Sequence, residues 1–279
     1  MKVFLAYPYS GTACVESTLA AFNNASADKD SYVFHPLPSP GGVHCYNFNR
    51  AWCVALNTRK RDGWTHFAMI HSDVEPEDYG WLDLMLEEML AVGADVLSVV
   101  LPIKDKKGTT STAILDEATN RIRRLTMTEL QSMPRTFSGF HAASRLHDWN
   151  PERSRLLVSS GLWICRFTEP WIEQVFFEMR DRVAKIPPCE EYPNGRFVAI
   201  NWSEDWNFSM QCYEQGLKVY STKAVRAFHR GGYTYSNQGE WGMWKEDLDT
   251  SQTEWLDQLP GISSFEDQMT GYRTKGGLK

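Results

Sequence analysis

No two of the six cysteines, at positions 14, 45, 53, 165, 189 and 212, are spaced as C-x-x-C. The chain therefore carries neither a zinc signature nor the disulfide framework of a small secreted domain, and reduced thiols in a cytoplasmic protein are expected. No apolar run approaches the length of a membrane span. The run from Val3 to Tyr7 is too short for a signal peptide. The G-x-G-x-x-G fingerprint of dinucleotide folds is missing. Net charge is only −6, so the whole molecule is not a general polyanion binder. Apolar residues, by contrast, are plentiful. At 42% hydrophobic and 13% aromatic, 279 residues can build a sizeable core.

Charge is uneven along the chain. Residues 104–155 hold ten Lys+Arg against six Asp+Glu, and residues 236–279 hold four against eight. A basic middle is either ordinary surface variation or a meeting place for an anionic substrate.

The densest chemistry lies between Thr65 and Pro76. Its first half, His66-Phe67-Ala68-Met69-Ile70, reads as a buried strand. It then turns polar as His71-Ser72-Asp73-Val74-Glu75 before Pro76 stops it. In open α/β sheets, ligands bind at the carboxyl ends of strands. Alternation on an extended backbone predicts that His71, Asp73 and Glu75 share one side. Two carboxylates and an imidazole suit Mn²⁺ or Mg²⁺ that is also held by substrate phosphates. The alternative is a solvated acidic turn.

The flanking pattern predicts an α/β chain. Val3–Tyr7 is a strand ended by Pro8, and Thr12 starts a helix running to about Phe22. Tyr32–His35 is a strand, and Phe48–Asn57 an amphipathic helix with Phe48, Trp52, Ala55 and Leu56 on one face. Arg50 on that helix either points at a bound ligand or is solvated. Trp81–Leu90 is a helix closed by Gly93. Asp95–Ile103 is a strand ending in Lys104-Asp105, expected to pair parallel with the Thr65–Ile70 strand. Thr109–Ile114 and Arg121–Leu125 are strands, and Thr136–Trp149 is a loop in which His141 and His147 are surface residues. Leu156–Arg166 is strand, turn, strand, and Ser159-Ser160-Gly161 permits close backbone approach at a substrate floor. Pro170–Val183 is predicted helical, with Trp171, Val175 and Phe176 inward.

Ser203 then precedes a helix to about Gln215, with Glu204 and Asp205 in its first turn. A carboxylate held at a helix start is a candidate general base, or else a plain capping motif. His229, before Arg230-Gly231-Gly232, is a candidate third metal ligand or phosphate contact.

Taken together and in order, these pieces resemble the GT-A fold nucleotide-sugar glycosyltransferases, especially family 2-like members. The resemblance covers roughly Val3 to Tyr235. It rests on His71-Ser72-Asp73 followed by Pro76 and Trp81-Leu82, and on the strand ending at Lys104-Asp105. It continues through Ser160-Gly161-Leu162-Trp163-Ile164, Glu204-Asp205-Trp206, Gly216-Leu217-Lys218-Val219-Tyr220 and His229. One departure is that His71 stands where the family's Asp-x-Asp has its first Asp. Either His71 ligates, or Asp73 and Glu75 form the pair.

The resemblance implies a mixed, mostly parallel Rossmann-like sheet flanked by helices. Residues 1–105 would bind the nucleotide-sugar, 106–235 would carry acceptor and catalysis, and 236–279 would be a Trp-rich acidic extension. It implies an inverting transfer of sugar from a nucleoside-diphosphate donor to an acceptor hydroxyl. Asp205, beside Glu204, would be the base. Asp73, with His71 or Glu75, and His229 would hold Mn²⁺ or Mg²⁺. Pro8, Tyr9 and Ser10 would grip base and ribose. Arg50, Ser72, Lys104 (or Arg166), Gly161 and Trp163 would line the donor. Trp163 and Trp206 are equally readable as core. The acceptor, whether a glycan, a small molecule, a protein or a hydroxymethylated DNA base, is not legible, and neither is the oligomeric state. A nucleotide-sugar hydrolase and an inactive sugar- or nucleotide-binding domain are the alternatives.

Overall fold

The computed structural model describes residues 1–9, 15–39, 44–105, 107–119, 121–186, 188, 190 and 192–241. Ser10, the expected cap Thr12 and the extension beyond Trp241 lie outside them.

The first half alternates strand and helix. It runs β1 (Val3–Tyr9), α1 (Val15–Asn23), β2 (Tyr32–Pro38), α2 (His44–Asp62), β3 (His66–Ile70), β4 (Val74–Pro76), α3 (Trp81–Val92) and β5 (Val96–Val99). Then follow β6 (Thr109–Asp116), β7 (Arg121–Thr126), α4 (Met127–Ser132), β8 (Thr136–Phe137), α5 (Gly139–Ala143), β9 (Ser154–Leu157) and β10 (Leu162–Arg166). Last come β11 (Arg180–Ile186), β12 (Arg196–Trp202), α6 (Glu204–Glu214), β13 (Val219–Thr222), β14 (Ala227–Arg230) and β15 (Thr234–Ser236).

The main sheet has seven strands in the order β2-β1-β3-β10-β5-β13-β8. Pairs β1–β2, β1–β3 and β5–β13 are parallel, and β10 runs antiparallel between β3 and β5. The mostly parallel, helix-flanked α/β architecture is as expected. The direct pairing of β3 with β5 is not: β10, more than sixty residues later in the chain, is inserted between them.

Alternation sorts the strands onto two cores. Phe67 and Met69 of β3 and Trp163 and Cys165 of β10 face α2 and an aromatic cluster of Trp52, Phe177 and Phe208. Ala68, Ile70, Leu162 and Ile164 face the other way, toward Trp81, Leu82 and Met85 of α3. The helix α2 is longer than its apolar stripe: Arg59, Lys60 and Arg61 extend it at the end where the helix dipole favours cations, and Gly63 (φ 74°) follows its end.

Two further expectations are corrected. Thr136–Trp149 is no simple loop, because β8 pairs with β13 and α5 packs on β9. Residues 170–183 are not a helix. After a single 3₁₀ turn at Trp171–Glu173 the chain extends into β11, which pairs only with β12. The side-chain amide of Asn49 bonds both the N–H and C=O of Phe177, at 2.8 and 2.7 Å. Gln211 does the same for Phe176, at 3.0 and 2.8 Å. Those four bonds satisfy an extended backbone and bury Phe177, leaving Phe176 exposed. Among the described residues no helix is long and apolar enough to cross a membrane.

Candidate functional site

The carboxyl ends of β1, β2, β3 and β5 face one edge, and the turn leading into β10 arrives at the same edge. Strand β3 stops at Ile70, and the His71 N–H donates to the Gly161 carbonyl at 2.9 Å. The chain then turns, with Val74 N–H bonding His71 O at 3.1 Å, and resumes as β4 against β14. This turn breaks the alternation that was expected to align His71, Asp73 and Glu75.

Asp73 is the centre of the resulting cluster. The Lys104 ammonium binds its Oδ2, and His229 Nε2 lies 3.6 Å from the same oxygen. Burial opposes ionisation of Asp73, but its contacts with His229 and Lys104 outweigh that and hold the carboxyl well below the usual range. The His229 ring lies inside β14, not beyond it, and its Nδ1 is 2.7 Å from the Pro102 carbonyl. A carbonyl only accepts, so Nδ1 carries a proton, and Nε2 is the ring nitrogen turned toward Asp73. The His71 ring packs 4.9 Å from Phe48. Burial lowers its pKa to about 4, leaving it neutral.

Two atoms in this cluster, His71 Nε2 and Asp73 Oδ1, are buried with no hydrogen-bond partner. With His229 Nε2 they are two imidazoles and one carboxylate, the types of donor that Mn²⁺ takes. Among the described residues, however, no group of three or more His, Cys, Asp or Glu side chains is placed to hold a metal ion. Glu75, offered as a second oxygen ligand, is engaged elsewhere: its Oε2 is gripped by the Arg230 guanidinium. Ser72 sits half-buried in the turn beside Asp73.

The second cluster opens α6. Trp206 N–H donates to Asp205 Oδ1 at 2.8 Å, and the Ser203 hydroxyl bonds the same oxygen. Ser203 stands at the N-cap position but makes no side-chain cap bond, since its hydroxyl serves Asp205. Burial raises both carboxyls, although Ser203, the Arg124 charge and the N–H groups of Trp206 and Ser160 favour the Asp205 anion. Glu204 is raised to about 7, by burial first and then by the charge of Asp205. The adjacent pair therefore holds a proton near neutrality.

One turn joins the two clusters. The Ser160 N–H favours the Asp205 anion, and the carbonyl of the next residue, Gly161, accepts the His71 N–H at 2.9 Å. Ser98 Oγ anchors the turn by donating to Ser159 O at 2.7 Å. Gly161 is required for space, because a Cβ there would sit 2.6 Å from Leu101 Cδ1.

The remaining candidates divide. Tyr9 ends β1, with its carbonyl bonded by Ser39 N–H at 2.7 Å, and Arg50 reaches the Pro38 carbonyl at 3.1 Å, so both stand at the carboxyl edge. Pro8 is buried within β1, opposite Leu37. Trp163 is not a donor contact: it is 1% exposed and packed among Trp52, Phe67, Phe177 and Phe208. Trp206 is equally buried, under the Arg124 guanidinium at 4.6 Å. Arg166 lies at the opposite edge, since β10 runs antiparallel and ends against His66, the first residue of β3. Among the described basic residues of 104–155, Lys104 pairs with Asp73, Arg123 with Glu129, Arg135 with Glu88, Arg153 with Asp116 and Arg155 with Glu117.

Sequence reasoning missed Ser203 as a partner of Asp205, Arg124 as its nearby charge and Arg230 as the partner of Glu75. Arg124 was signalled only by the basic excess of its segment, and Ser203 was readable as a cap alone.

No family model matches this chain, and no curated protein matches it. Among solved structures it is similar to A197 from STIV, at 10% identity over 88% of this chain and 98% of that one, with a TM-score of 0.47. It is also similar to an Entamoeba histolytica protein assigned as a UDP-N-acetylglucosamine pyrophosphorylase, at 11% identity over 70% of this chain and 51% of that one, with a TM-score of 0.34. Likeness at these levels carries no statement about activity.

Proposed function

We propose that this chain is a metal-dependent glycosyltransferase that moves a sugar from a nucleoside-diphosphate donor to an acceptor hydroxyl with inversion. The observation that supports it is the single turn Ser160-Gly161, whose Gly161 carbonyl takes the His71 N–H of the proposed diphosphate site and whose Ser160 N–H favours the anion of the proposed base. Asp73, His71 and His229 would hold the divalent cation, which supplies charge neutralisation for the departing diphosphate. Asp205 takes the acceptor proton. Ser203 and the Trp206 N–H fix its Oδ1, so its Oδ2 is the atom presented to the acceptor. Glu204 keeps a proton beside it and limits the negative charge at the site. One displacement from the face opposite the leaving group inverts the anomeric carbon, with no carboxylate nucleophile required.

The experiment is incubation with UDP- and GDP-sugars and Mn²⁺, with and without a panel of hydroxyl acceptors. Acceptor-dependent release of nucleoside diphosphate is expected, and Asp205→Asn abolishes it. Release without acceptor would make the protein a hydrolase, and no release with retained nucleotide binding would make it a binding domain.

A further inference from the structure

The ribbon of β11 and β12 is a sheet of its own. Among the described residues β11 pairs only with β12, so its outer edge carries a row of backbone N–H and C=O groups with no strand beside it. A two-stranded ribbon is marginal in water unless further strands or a helix join it. The register Val183↔Ala199 and Lys185↔Phe197 puts Asp181, Val183 and Lys185 on one face with Phe197, Ala199 and Asn201. All of these but Asn201 are exposed. Val183 at 73% and Phe197 at 72% are the two most exposed large apolar side chains among the described residues. On that face Asn201 Nδ2 donates to Asp181 Oδ1, and the Lys185 ammonium lies 5.8 Å from the centre of the Phe197 ring. Asp181 and Lys185 thus stand on the same exposed face, two residues to either side of Val183.

We infer that two copies of this chain associate edge to edge through β11, with Val183 on the two-fold axis. Identical strands related by an axis normal to the ribbon run antiparallel and keep the same face on the same side. With the axis at Val183, Asp181 of each copy lies opposite Lys185 of the other. A row across the resulting four-stranded sheet then reads Phe197 and Lys185, followed by Asp181 and Asn201 of the second copy. Symmetry supplies this row twice. Other registers lose it. An axis at residue 182 sets Asp181 against Val183, one at residue 184 sets Val183 against Lys185, and one at 181 or 185 sets like charge on like charge. The outer edge of β12 offers no such match, because an axis at Ala199 sets Phe197 against Asn201. The association gives the ribbon the two further strands it lacks. An edge of seven residues is a small interface, so the dimer is weak, with a dissociation constant on the order of ten micromolar.

The test is sedimentation of the full chain over about a hundredfold range of concentration around that value. The parent is expected to pass from monomer to dimer. Asp181→Lys and Lys185→Asp each place like charges opposite one another twice, and each is expected to weaken the dimer about tenfold. Combining the two exchanges the charges and is expected to restore the parent's affinity within about threefold. These side chains are exposed, so native far-ultraviolet dichroism is expected throughout. A second measurement reads the axis directly. Opposed Cα atoms about 4.5–5.5 Å apart are within disulfide reach, so Val183→Cys treated with a copper–phenanthroline oxidant, which takes one hydrogen from each thiol, is expected to yield a covalent dimer above the parent's background. Ala199→Cys, one strand further from the axis on each side, is expected to yield none. A monomer at every concentration overturns the inference. So do single charge variants that dimerise like the parent, a double exchange that stays as weak as the single changes, and cross-linking that is no stronger at position 183 than at position 199.

Discussion

His71 donates its backbone N–H to the Gly161 carbonyl at 2.9 Å, pinning the end of β3 to the turn that enters β10. These strands are antiparallel, so the end of one meets the beginning of the other at the same sheet edge. In the same turn the Ser160 N–H favours the Asp205 anion. One short turn thus lies between the Asp73 cluster and the carboxylate pair.

That turn depends on Gly161 having no side chain. Leu101 is 1% exposed, and a Cβ on residue 161 would lie 2.6 Å from its Cδ1, so a buried side chain must shift to admit it. Gly161→Ala is expected to cost about 1–3 kcal/mol in urea unfolding, as overpacking does. Adding Leu101→Ala should make the double variant less destabilised than the sum of the two single changes, because the clash is removed with its partner. A strictly additive cycle would show that the turn has other freedom to move.

Ser203 gives a sharper test, because its hydroxyl serves Asp205 and not the helix end. An ordinary Ser N-cap replaced by Ala costs about 0.5–2 kcal/mol. Ser203→Ala is expected to stay within about 0.5 kcal/mol of the parent in thermal unfolding, since no cap bond is lost. Its turnover should fall about tenfold, less than the roughly 10²–10⁴-fold loss for Asp205→Asn, because Trp206 N–H still holds Oδ1. A stability loss with unchanged turnover would return Ser203 to a capping role.

Glu204 predicts a pH dependence of stability with a definite sign. Its folded pKa is raised, from 4.5 to about 7, by burial and then by Asp205. The folded state thus holds the proton more tightly than the unfolded one. The contribution is fully present below pH 4.5 and is lost as pH rises through about 7. Glu204→Gln removes the ionisation. It should stabilise the chain relative to the parent at pH 8 by about 1–3 kcal/mol more than it does at pH 5. Chemical denaturation at the two pH values measures this, and an equal effect at both would mean that Glu204 titrates normally.

What the sequence made legible followed from local rules. Alternation in β1, β3 and β10, the apolar stripe of α3 with Gly93 behind it, and Glu204-Asp205 at the head of α6 are all short-range signals. Partner choice is not short-range. Nothing in Val96–Val99 says that β10, and not β3, lies beside it. The stretch 170–183 has helical spacing, yet Asn49, 128 residues from Phe177, and Gln211, 35 residues from Phe176, take its backbone groups and hold it extended. The expected His71-Asp73-Glu75 alignment failed because a turn at Ser72-Asp73 interrupts the extended chain on which alternation depends.

Trp163 separates core from ligand contact by measurement. Its ring lies 4.9 Å from Phe208, 5.4 Å from Phe67 and 5.9 Å from Phe177, and its Nε1 is buried without a partner. Trp163→Ala would leave a large void costing about 3–5 kcal/mol, enough to unfold a marginal chain. Trp163→Phe is the informative change: it leaves a smaller void but also removes an unsatisfied buried donor, so the two effects oppose each other. The expected result is a net loss of about 1–2 kcal/mol in unfolding with the donor KM unchanged. A donor KM that rises several-fold while the Tm stays fixed would move this indole out of the aromatic core and onto the sugar.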